Sequence, residues 1–435
     1  MKEFELDGPL SLPKKVSRRK VGDYAMYIAP ENPTWVALPP SEADIFEELL
    51  AGSTIAEAER SVAVKRGVPE ADVRGDTVGL LEEIETNGFY GLESRTLATE
   101  PLAVHWYFTN GCNLRCINCY MDAGKRLDAE LSTEEAKRFV DDVTSLKKTS
   151  FAFSGGEPMS RPDFFEVAEY AKRRGHRLAL LTNGTLIGDR ETAQKIEGLF
   201  DFVQISLDGA NAGTNDAIRG KGTFELAKGA INYFKGSPVK VNVSVTVSDK
   251  NCEDVRDNMA AFARSLENRN ISFSIGKLLY TGRGKQQSCG ENAEGCVDVA
   301  LRNLWSDGWG RKKPRRNTKI LNCGYANCLI LGADGDVHGC PMPYKELVIA
   351  NVRRDSVASV VEKLGYEAKK TSVENMSCHG ACDLEYLCAG DCRIRNYQAH
   401  GDITKPACTE SKKEKYYNAM LKQNLALREA RSKKR

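Results

Sequence analysis

Short apolar stretches alternate with amphipathic stretches of helical length through the middle of the 435-residue chain. Apolar residues recur at helical spacing in Thr133–Leu146 and in residues 163–174, which predicts amphipathic helices. The apolar stretches predict strands at residues 103–109, 150–153, 177–182, 203–207, 239–247 and 271–279. Alternation of strands and helices indicates parallel βαβ units. The pattern therefore predicts an α/β fold around a parallel sheet.

The first hundred residues show a different pattern. Residues 24–28 and 34–38 alternate like the two strands of a hairpin around a turn at Pro30 and Pro33. Helix-length stretches follow at residues 41–50, 54–65 and 69–87, with Ser41 and Thr54 as predicted N-caps. Two or three strands beside three short helices predict a winged-helix-like segment.

Charge argues against nucleic acid as the partner of this segment. Residues 1–95 contain 18 acidic and 11 basic residues, a balance of −7, which would repel phosphate. The whole chain has a formal net charge of only +2, so no basic field favours nucleic acid. No apolar run approaches the ~18 residues that span a bilayer. The first residues, MKEFELDGPL, do not resemble a signal peptide, so we expect a cytoplasmic protein without a membrane or nucleic-acid partner.

Three cysteines follow the first strand of the α/β region. Cys112, Cys116 and Cys119 lie in the run TNGCNLRCINCY with C-x3-C-x2-C spacing. Cubane iron–sulfur clusters normally take four thiolates, so three local thiolates leave one iron free to bind a small molecule. The loop follows the carboxyl end of a strand, where parallel α/β barrels place their chemistry. The alternative is a zinc site, which usually has C-x2-C pairs and four ligands.

A glycine-rich segment, Gly155-Gly156-Glu157-Pro158, follows the second predicted strand. Glycines let the backbone approach a ligand closely, and a carboxylate suits an ammonium group. An ordinary turn is the alternative interpretation of the same residues.

Together the cysteine loop and the GGEP segment resemble the radical S-adenosylmethionine (radical SAM) superfamily. The resemblance implies a partial (β/α)6 barrel and a [4Fe–4S] cluster on the three cysteines, whose free iron holds SAM. One electron from the cluster would cleave SAM to a 5′-deoxyadenosyl radical that removes a hydrogen atom from the substrate. It further implies SAM contacts by Gly155, Gly156, Glu157, Asn183, Ser206, Asp208 and Arg219. Asn183 and Asp208 each precede a glycine, so plain turns are the alternative for them.

A second group of cysteines lies in the last third of the chain. Asp334-Gly335 predicts a hairpin turn between LILGA and VHGC within this group. The pattern resembles the SPASM domain, although its C-x3-C-x5-C-x3-C block has one residue more than usual. The resemblance implies two auxiliary [4Fe–4S] clusters, one on Cys323, Cys328, Cys340 and Cys392 and one on Cys378, Cys382, Cys388 and Cys408. Structural zinc and disulfides are the alternatives.

The first segment, with patches such as WVALPPSEADIFEELLAGSTIAE, resembles a peptide-recognition domain related to the chaperone of pyrroloquinoline quinone biosynthesis. Such domains hold a leader peptide by adding it as a strand to a sheet edge. The combination resembles maturases of sactipeptide- and ranthipeptide-type ribosomal peptides. It implies an oxidoreductase that removes a hydrogen atom from a precursor peptide and forms an oxidative crosslink, with a thioether as the expected bond. Carbon–carbon crosslinking, formation of a peptide-derived redox cofactor, and a non-catalytic electron-transfer or peptide-binding protein are the alternatives.

The predicted organisation has four parts. Residues 1–95 form the leader-recognition domain, 100–310 the radical SAM barrel, 318–412 the SPASM domain and 413–435 a basic, solvated helix. The expected partners are a precursor peptide with a leader and an electron donor such as flavodoxin or ferredoxin. Cys252, Cys289 and Cys296 remain outside the motifs. Isolated cysteines are usually buried, and a role toward a substrate is the alternative for Cys289 and Cys296, which lie in a polar stretch. The sequence identifies no general base, substrate peptide or oligomeric state.

Overall fold

The structure is a computed structural model that describes residues 10–89, 95–96, 102–268, 270–290, 292–306, 309, 317–342 and 345–432. The ends of the predicted segments 1–95, 100–310 and 413–435 therefore lie partly outside the described residues. The chain forms two compact units. The first contains Met1–Ala98, Pro314–Cys323 and Ala368–Arg435, and the second contains Thr99–Lys313 and Gly324–Glu367.

The strands in chain order are β1 Ser17–Val21, β2 Tyr24–Ala29, β3 Thr34–Leu38, β4 Arg95–Thr96, β5 Val104–Thr109, β6 Ser150–Gly155, β7 Arg177–Thr182, β8 Phe202–Ser206, β9 Lys240–Val247, β10 Ile271–Lys277, β11 Thr318–Lys319, β12 Leu329–Leu331, β13 Asp336–His338 and β14 Val348–Asn351.

The α-helices are α1 Pro40–Leu50, α2 Ile55–Arg66, α3 Glu70–Thr86, α4 Thr133–Leu146, α5 Phe164–Arg173, α6 Arg190–Leu199, α7 Ala212–Arg219, α8 Thr223–Tyr233, α9 Cys252–Ser265, α10 Asn292–Ser306, α11 Val357–Lys370, α12 Glu385–Cys388, α13 Arg393–His400 and α14 Glu410–Ser432. No described helix is both long and apolar enough to cross a membrane.

The second unit is built on one sheet with the order β10-β9-β8-β7-β6-β5-β12-β13-β14. The strands from β10 to β5 pair in parallel, as the alternating pattern predicts, and form an open array. Trp106, Phe151 and Phe153 are fully buried in its core. The predicted α/β class with a parallel sheet is therefore confirmed.

The same sheet continues into the predicted SPASM segment. β12 pairs in parallel with β5, and the β12–β13 hairpin then adds antiparallel strands. The backbone N–H of Gly335 donates to the carbonyl of Gly332 at 3.1 Å, which confirms the predicted hairpin turn. Residues 324–367 thus join the barrel unit because backbone pairing continues through β12.

The first unit contains a three-stranded antiparallel sheet with the order β1-β2-β3. Alternating residues of β2 and β3 face opposite sides, so both faces are apolar. Tyr27 and Val36 pack with α1, α2 and α3 on one face. Met26 and Trp35 lie on the other face in a cluster that the following residues complete: Ile28, Ala37, Leu384, Tyr417 and Met420.

Two expectations for this unit are wrong. Helix α14 is not a solvated tail, because its Tyr417, Met420 and Asn424 are buried. Ser41 does not cap α1: the helix begins after Pro39 without a side-chain cap, and the Ser41 hydroxyl donates to Asp76 instead. The predicted cap at Thr54 is confirmed as a capping box with Glu57 at the start of α2.

Candidate active site

The cysteine loop begins where β5 ends. The backbone N–H of Cys112 donates to the carbonyl of Gly124 at 3.0 Å, and that of Gly124 donates to Asn110 at 2.8 Å. Within the loop, the N–H of Cys119 donates to the carbonyl of Cys116 at 3.3 Å. These bonds close the loop on itself, so one short segment presents all three thiols.

A pocket of about 200 Å³ lies at the carboxyl ends of the parallel strands. Its lining includes the predicted residues Cys112, Cys116, Cys119, Gly155, Gly156, Asn183, Ser206 and Arg219. It also includes residues that sequence reasoning did not single out, among them Tyr120, Gln204, Ser244, Thr246 and Arg283. Glu157 and Asp208 are not in the lining, and both side chains are fully buried.

The GGEP segment contacts the cysteine loop through its backbone. The N–H of Gly156 donates to Thr109, and that of Glu157 donates to Gly111, both at 2.8 Å. A Cβ atom at Gly156 would lie 2.1 Å from the carbonyl oxygen of Gly111, so only glycine fits here. The segment is thereby fixed against the base of the cysteine loop.

The Glu157 carboxylate connects this segment to the end of β7. It accepts hydrogen bonds from the Thr182 hydroxyl at 2.9 Å and from the backbone N–H groups of Asn183 at 2.8 Å and Met159 at 3.2 Å. Burial raises the pKa of Glu157 to about 7, although these hydrogen bonds oppose the shift. The structure therefore gives Glu157 a positioning role, and its contact with SAM stays a prediction.

Asp208 orders a second group of side chains at the end of β8. One carboxylate oxygen accepts from the N–H of Thr246 at 2.7 Å. The other accepts from the Asn118 amide at 2.9 Å and lies 2.8 Å from the Arg219 Nε atom. Asp208 is therefore buried outside the pocket lining and positions Asn118 and Arg219, which line the pocket. Direct contact of Asp208 with SAM stays a prediction.

Arg283 stabilises the cysteine loop through several hydrogen bonds. Its guanidinium donates to the carbonyls of Cys116 at 2.8 Å and Ala123 at 3.0 Å, and to the Asp122 carboxylate at 2.6 Å. Its own N–H donates to Cys119 at 2.9 Å. The preceding Gly282 has a φ of +53°, and a Cβ atom there would lie 2.5 Å from the Cys119 carbonyl oxygen. The GRGK sequence after the last predicted strand was the available signal for this contact.

The three thiols of the cysteine loop lie in a partly buried pocket beside two positively charged side chains, Arg219 and Arg283. Burial raises the pKa of Cys112 to about 11. Burial also raises the pKa of Cys116, while the positive charges of Arg219 and Arg283 oppose the shift. Thiolates at such buried positions need a metal or a cation for stability. Three thiols with two guanidinium groups at one pocket fit the chemistry of a site-differentiated iron–sulfur cluster.

Comparison with known proteins supplies the family. Residues 106–261 match the Radical SAM superfamily profile. The Fe-coproporphyrin III synthase of Methanosarcina barkeri is 30% identical over 386 residues, covering 76% of this chain and 95% of that protein. The chain belongs to the radical SAM superfamily. It is an enzyme of that superfamily, with SAM and a SAM-binding iron–sulfur cluster as cofactors.

Other relatives have different named activities. The AdoMet-dependent heme synthase of M. barkeri is 29% identical over 349 residues, covering 72% of this chain and 97% of that protein. The mycofactocin maturase MftC of Mycolicibacterium smegmatis is 31% identical over 266 residues, covering 58% of this chain and 67% of that protein.

Two solved structures share the fold. One is native anSMEcpe with bound AdoMet and Cp18Cys peptide, with a TM-score of 0.59 and 19% identity, covering 75% of this chain and 98% of that one. The other is Streptococcus suis SuiB bound to precursor peptide SuiA, with a TM-score of 0.55 and 13% identity, covering 92% of this chain and 99% of that one. These two similarities show that the chain shares the fold of those structures.

The C-terminal cysteines of this radical SAM enzyme divide between the two units. Cys328 and Cys340 belong to the second unit, where Cys328 directly precedes β12 and Cys340 follows β13. Because β12 and β13 form an antiparallel hairpin, the two cysteines lie at the same end of it. The Tyr107 hydroxyl donates to the carbonyl of Pro341, and the Tyr120 hydroxyl donates to Tyr107 at 3.3 Å. The segment after Cys340 is thereby tied to the cysteine loop.

The remaining cysteines of the predicted auxiliary sets belong to the first unit: Cys323, Cys378, Cys382, Cys388, Cys392 and Cys408. Burial raises the pKa of Cys378 to about 11, and the neighbouring Cys382 and Cys388 add to the shift. Burial and Cys388 likewise raise the pKa of Cys408. Cys388 therefore interacts electrostatically with both Cys378 and Cys408, while both auxiliary ligand sets stay predictions.

Within the described part of the chain, no three His, Cys, Asp or Glu side chains converge on a position for a single metal ion. The predicted ligands would instead surround four-iron clusters, in which each thiolate binds a separate iron atom.

The structure agrees with burial of Cys252 and Cys296 and contradicts the alternative of a substrate-facing Cys296. Cys296 of α10 is buried and forms a disulfide with Cys252 of α9. Cys289 is free and half-buried, with its thiol 3.7 Å from the carbonyl oxygen of Val247.

Proposed function

We propose that this radical SAM enzyme is a peptide maturase. It removes a hydrogen atom from a ribosomally made precursor peptide and forms an oxidative crosslink, with a thioether as the expected bond. The observation that carries the proposal is the three-stranded sheet with helices α1 to α3 ahead of the radical SAM domain, a layout that suits leader binding. Similarity to the maturase MftC supports the peptide as substrate class.

The pocket residues bind and orient the cofactors. Cys112, Cys116 and Cys119 hold the cluster, which with SAM supplies hydrogen-atom abstraction when both are bound. Arg219 faces the SAM carboxylate, for which its planar guanidinium is suited. Asn183 and Ser206 face the nucleoside and methionyl parts, while Glu157 and Asp208 fix the segments that carry these groups.

The eight C-terminal cysteines would hold the clusters that accept the electron released by crosslinking. After one hydrogen atom has left the peptide, closing a sulfur–carbon bond releases the thiol proton and one further electron. Two auxiliary clusters on the sets predicted from the sequence would take that electron. A flavodoxin or ferredoxin would supply the reducing electron for the SAM cluster.

The leader peptide would bind at the edge of the first-unit sheet. β3 forms one edge of that sheet, and the Thr34 hydroxyl at its start donates to the Asn87 carbonyl after α3. A leader strand beside β3 and α3 would gain main-chain pairing, and side-chain pockets would select its sequence.

The test uses the reconstituted, reduced full chain with a short cysteine-rich precursor encoded by a neighbouring reading frame. We expect 5′-deoxyadenosine and a peptide lighter by two hydrogen atoms per crosslink, with slower modification of the same peptide lacking its leader. Equal rates with and without the leader would contradict the leader-binding part. An unmodified peptide beside vigorous SAM cleavage would contradict the maturase assignment.

Tetrapyrrole modification is the second candidate. It is favoured by the Fe-coproporphyrin III synthase similarity, which extends over 386 residues. Parallel reactions with an iron porphyrin and with the precursor peptide distinguish the two functions, because only the true substrate is consumed in step with 5′-deoxyadenosine formation.

A further inference from the structure

Arg393 is a fully buried cation at the start of α13, directly after Cys392. Its Nε and Nη2 atoms donate to the carbonyl of Thr371 at 2.9 and 2.6 Å. Its Nη1 atom donates to the carbonyls of Gly390 at 3.1 Å and Asp391 at 2.6 Å. The guanidinium is thus held by backbone carbonyls from two separate segments.

No carboxylate in the described part of the chain forms an ion pair with Arg393. The nearest acidic residue in sequence, Asp391, pairs through its side chain with Lys412 instead. Removing a guanidinium from water without a counter-charge is unfavourable, and carbonyl dipoles compensate for it only in part. The counter-charge must therefore come from another kind of group.

Two cysteines flank this cation in the chain: Cys392 directly precedes it, and Cys388 precedes the turn whose carbonyls accept from its guanidinium. Burial lowers the pKa of Arg393, and the thiolates of four cysteines oppose the shift: Cys323, Cys378, Cys388 and Cys392. The Cys323 segment is brought near by hydrogen bonds from the Asn322 amide to the Thr371 hydroxyl at 3.2 Å and from the N–H of Val373 to Leu321 at 2.6 Å.

The turn between Cys388 and Cys392 has an unusual backbone. Ala389 and Asp391 have φ angles of 57° and 67°, in the left-handed region that non-glycine residues rarely adopt. The same turn contains the carbonyls of Gly390 and Asp391, which accept hydrogen bonds from Arg393. Strained backbone of this kind persists where the surroundings require it.

We propose that Arg393 is the counter-ion of the auxiliary clusters and holds the cysteine segments in register around them. The inference rests on the proposed auxiliary clusters and deepens their role. Cys323 and Cys392 belong to one predicted set, and Cys378 and Cys388 to the other, so the cation serves both. Reduction adds one electron to a cluster and breaks no bond. A buried positive charge stabilises the more negative reduced form and raises its reduction potential.

The test uses the full chain with Cys112, Cys116 and Cys119 replaced by alanine, so that only auxiliary clusters contribute. Arg393→Gln removes the charge and keeps hydrogen-bond donors, whereas Arg393→Lys keeps the charge. Arg395→Gln is the matched control, because it removes an exposed charge from the same helix. Each protein is reconstituted without oxygen, its iron is counted, and its auxiliary potentials are measured by titration with dithionite, followed by electron paramagnetic resonance.

We expect about eight irons, from two four-iron clusters, in the protein with native Arg393. At least one auxiliary potential becomes more negative in Arg393→Gln, while Arg393→Lys and Arg395→Gln remain close to the reference. Loss of iron in Arg393→Gln with retention in Arg393→Lys also supports the charge role. Equal behaviour of Arg393→Gln and Arg393→Lys overturns it while leaving the proposed function intact. Absence of iron from the reference protein overturns both the inference and the proposed auxiliary clusters.

Discussion

The Glu157 carboxylate is a pH-sensitive group at the base of the active site. Burial raises its pKa from an ordinary value of 4.5 to about 7. The folded state therefore binds this proton more tightly than the unfolded chain does. The resulting contribution to stability is fully present below about pH 4.5 and is lost as the pH rises through about 7.

Glu157→Gln should remove this pH dependence, because glutamine stays neutral. In metal-free protein, we expect the stability of the parent relative to Glu157→Gln to fall as the pH rises from about 4.5 to 7. Urea unfolding at several pH values measures the difference. Glu134→Gln, at an exposed position, is the control and should show no such trend. A difference that is constant with pH would contradict the raised pKa.

Arg219 is the cation at the pocket that we assign to the SAM carboxylate. Arg219→Ala should keep the iron content and weaken SAM binding by roughly 1.5–3 kcal/mol, the value of a charged hydrogen bond. Equilibrium dialysis against labelled SAM measures the dissociation constant. Arg173→Ala, an exposed arginine on α5, serves as the control. Unchanged SAM affinity in Arg219→Ala would show that the residue was misassigned.

At the scale of elements, α14 depends on a partly buried group of charges. Arg428 pairs with Glu42 of α1 and lies 3.2 Å from Glu83 of α3. Arg431 also pairs with Glu83, and the Asn424 amide donates a hydrogen bond to the Glu83 carboxylate. Deleting the first 95 residues would therefore remove the partners of α14 as well as the proposed leader site, so point substitutions give the cleaner experiment.

Arg428→Ala leaves two largely buried carboxylates short of a partner. Breaking a buried ion pair on one side costs roughly 3–5 kcal/mol, and the partial exposure of Arg428 places the expected loss near the lower end. Urea unfolding followed by circular dichroism measures the loss. Lys415→Ala, at an exposed position on the same helix, should change stability little. Equal stability of the two variants would mean that α14 does not depend on this charge cluster.

The sequence predicted those elements whose own residues carry a strong pattern. The strands of the parallel sheet are apolar runs, and the cysteine and GGEP motifs are local, so both could be found without a structure. β1, with the sequence SRRKV, was missed because its side chains are mostly polar and exposed. The burial of α14 was missed because its apolar residues are interspersed with charged ones, so no clear apolar face marks the helix.

Contacts between distant segments were beyond the sequence patterns. Arg283 meets Cys116 across 167 positions of the chain, and Asn118 meets Asp208 across 90. The disulfide between Cys252 and Cys296 likewise joins residues separated by 44 positions. No periodicity encodes such pairs, because each depends on how the βαβ units return to the same end of the sheet.

At the scale of the whole molecule, we predict three clusters per chain. Anaerobic reconstitution should give about twelve irons, and the Cys112/Cys116/Cys119 triple alanine variant should hold about four fewer. Colorimetric iron analysis with protein quantification by amino-acid analysis provides the count. About four irons in the parent, or zinc bound to the C-terminal cysteines, would contradict the auxiliary clusters.

The most direct test of the central claim follows the hydrogen atom. The full-length reconstituted enzyme is reduced and given SAM with a precursor peptide whose carbon-bound hydrogens are replaced by deuterium. If the enzyme acts on the peptide by radical chemistry, mass spectrometry will find deuterium in 5′-deoxyadenosine, in step with crosslinked product. Crosslinked product accompanied only by unlabelled 5′-deoxyadenosine would contradict the account.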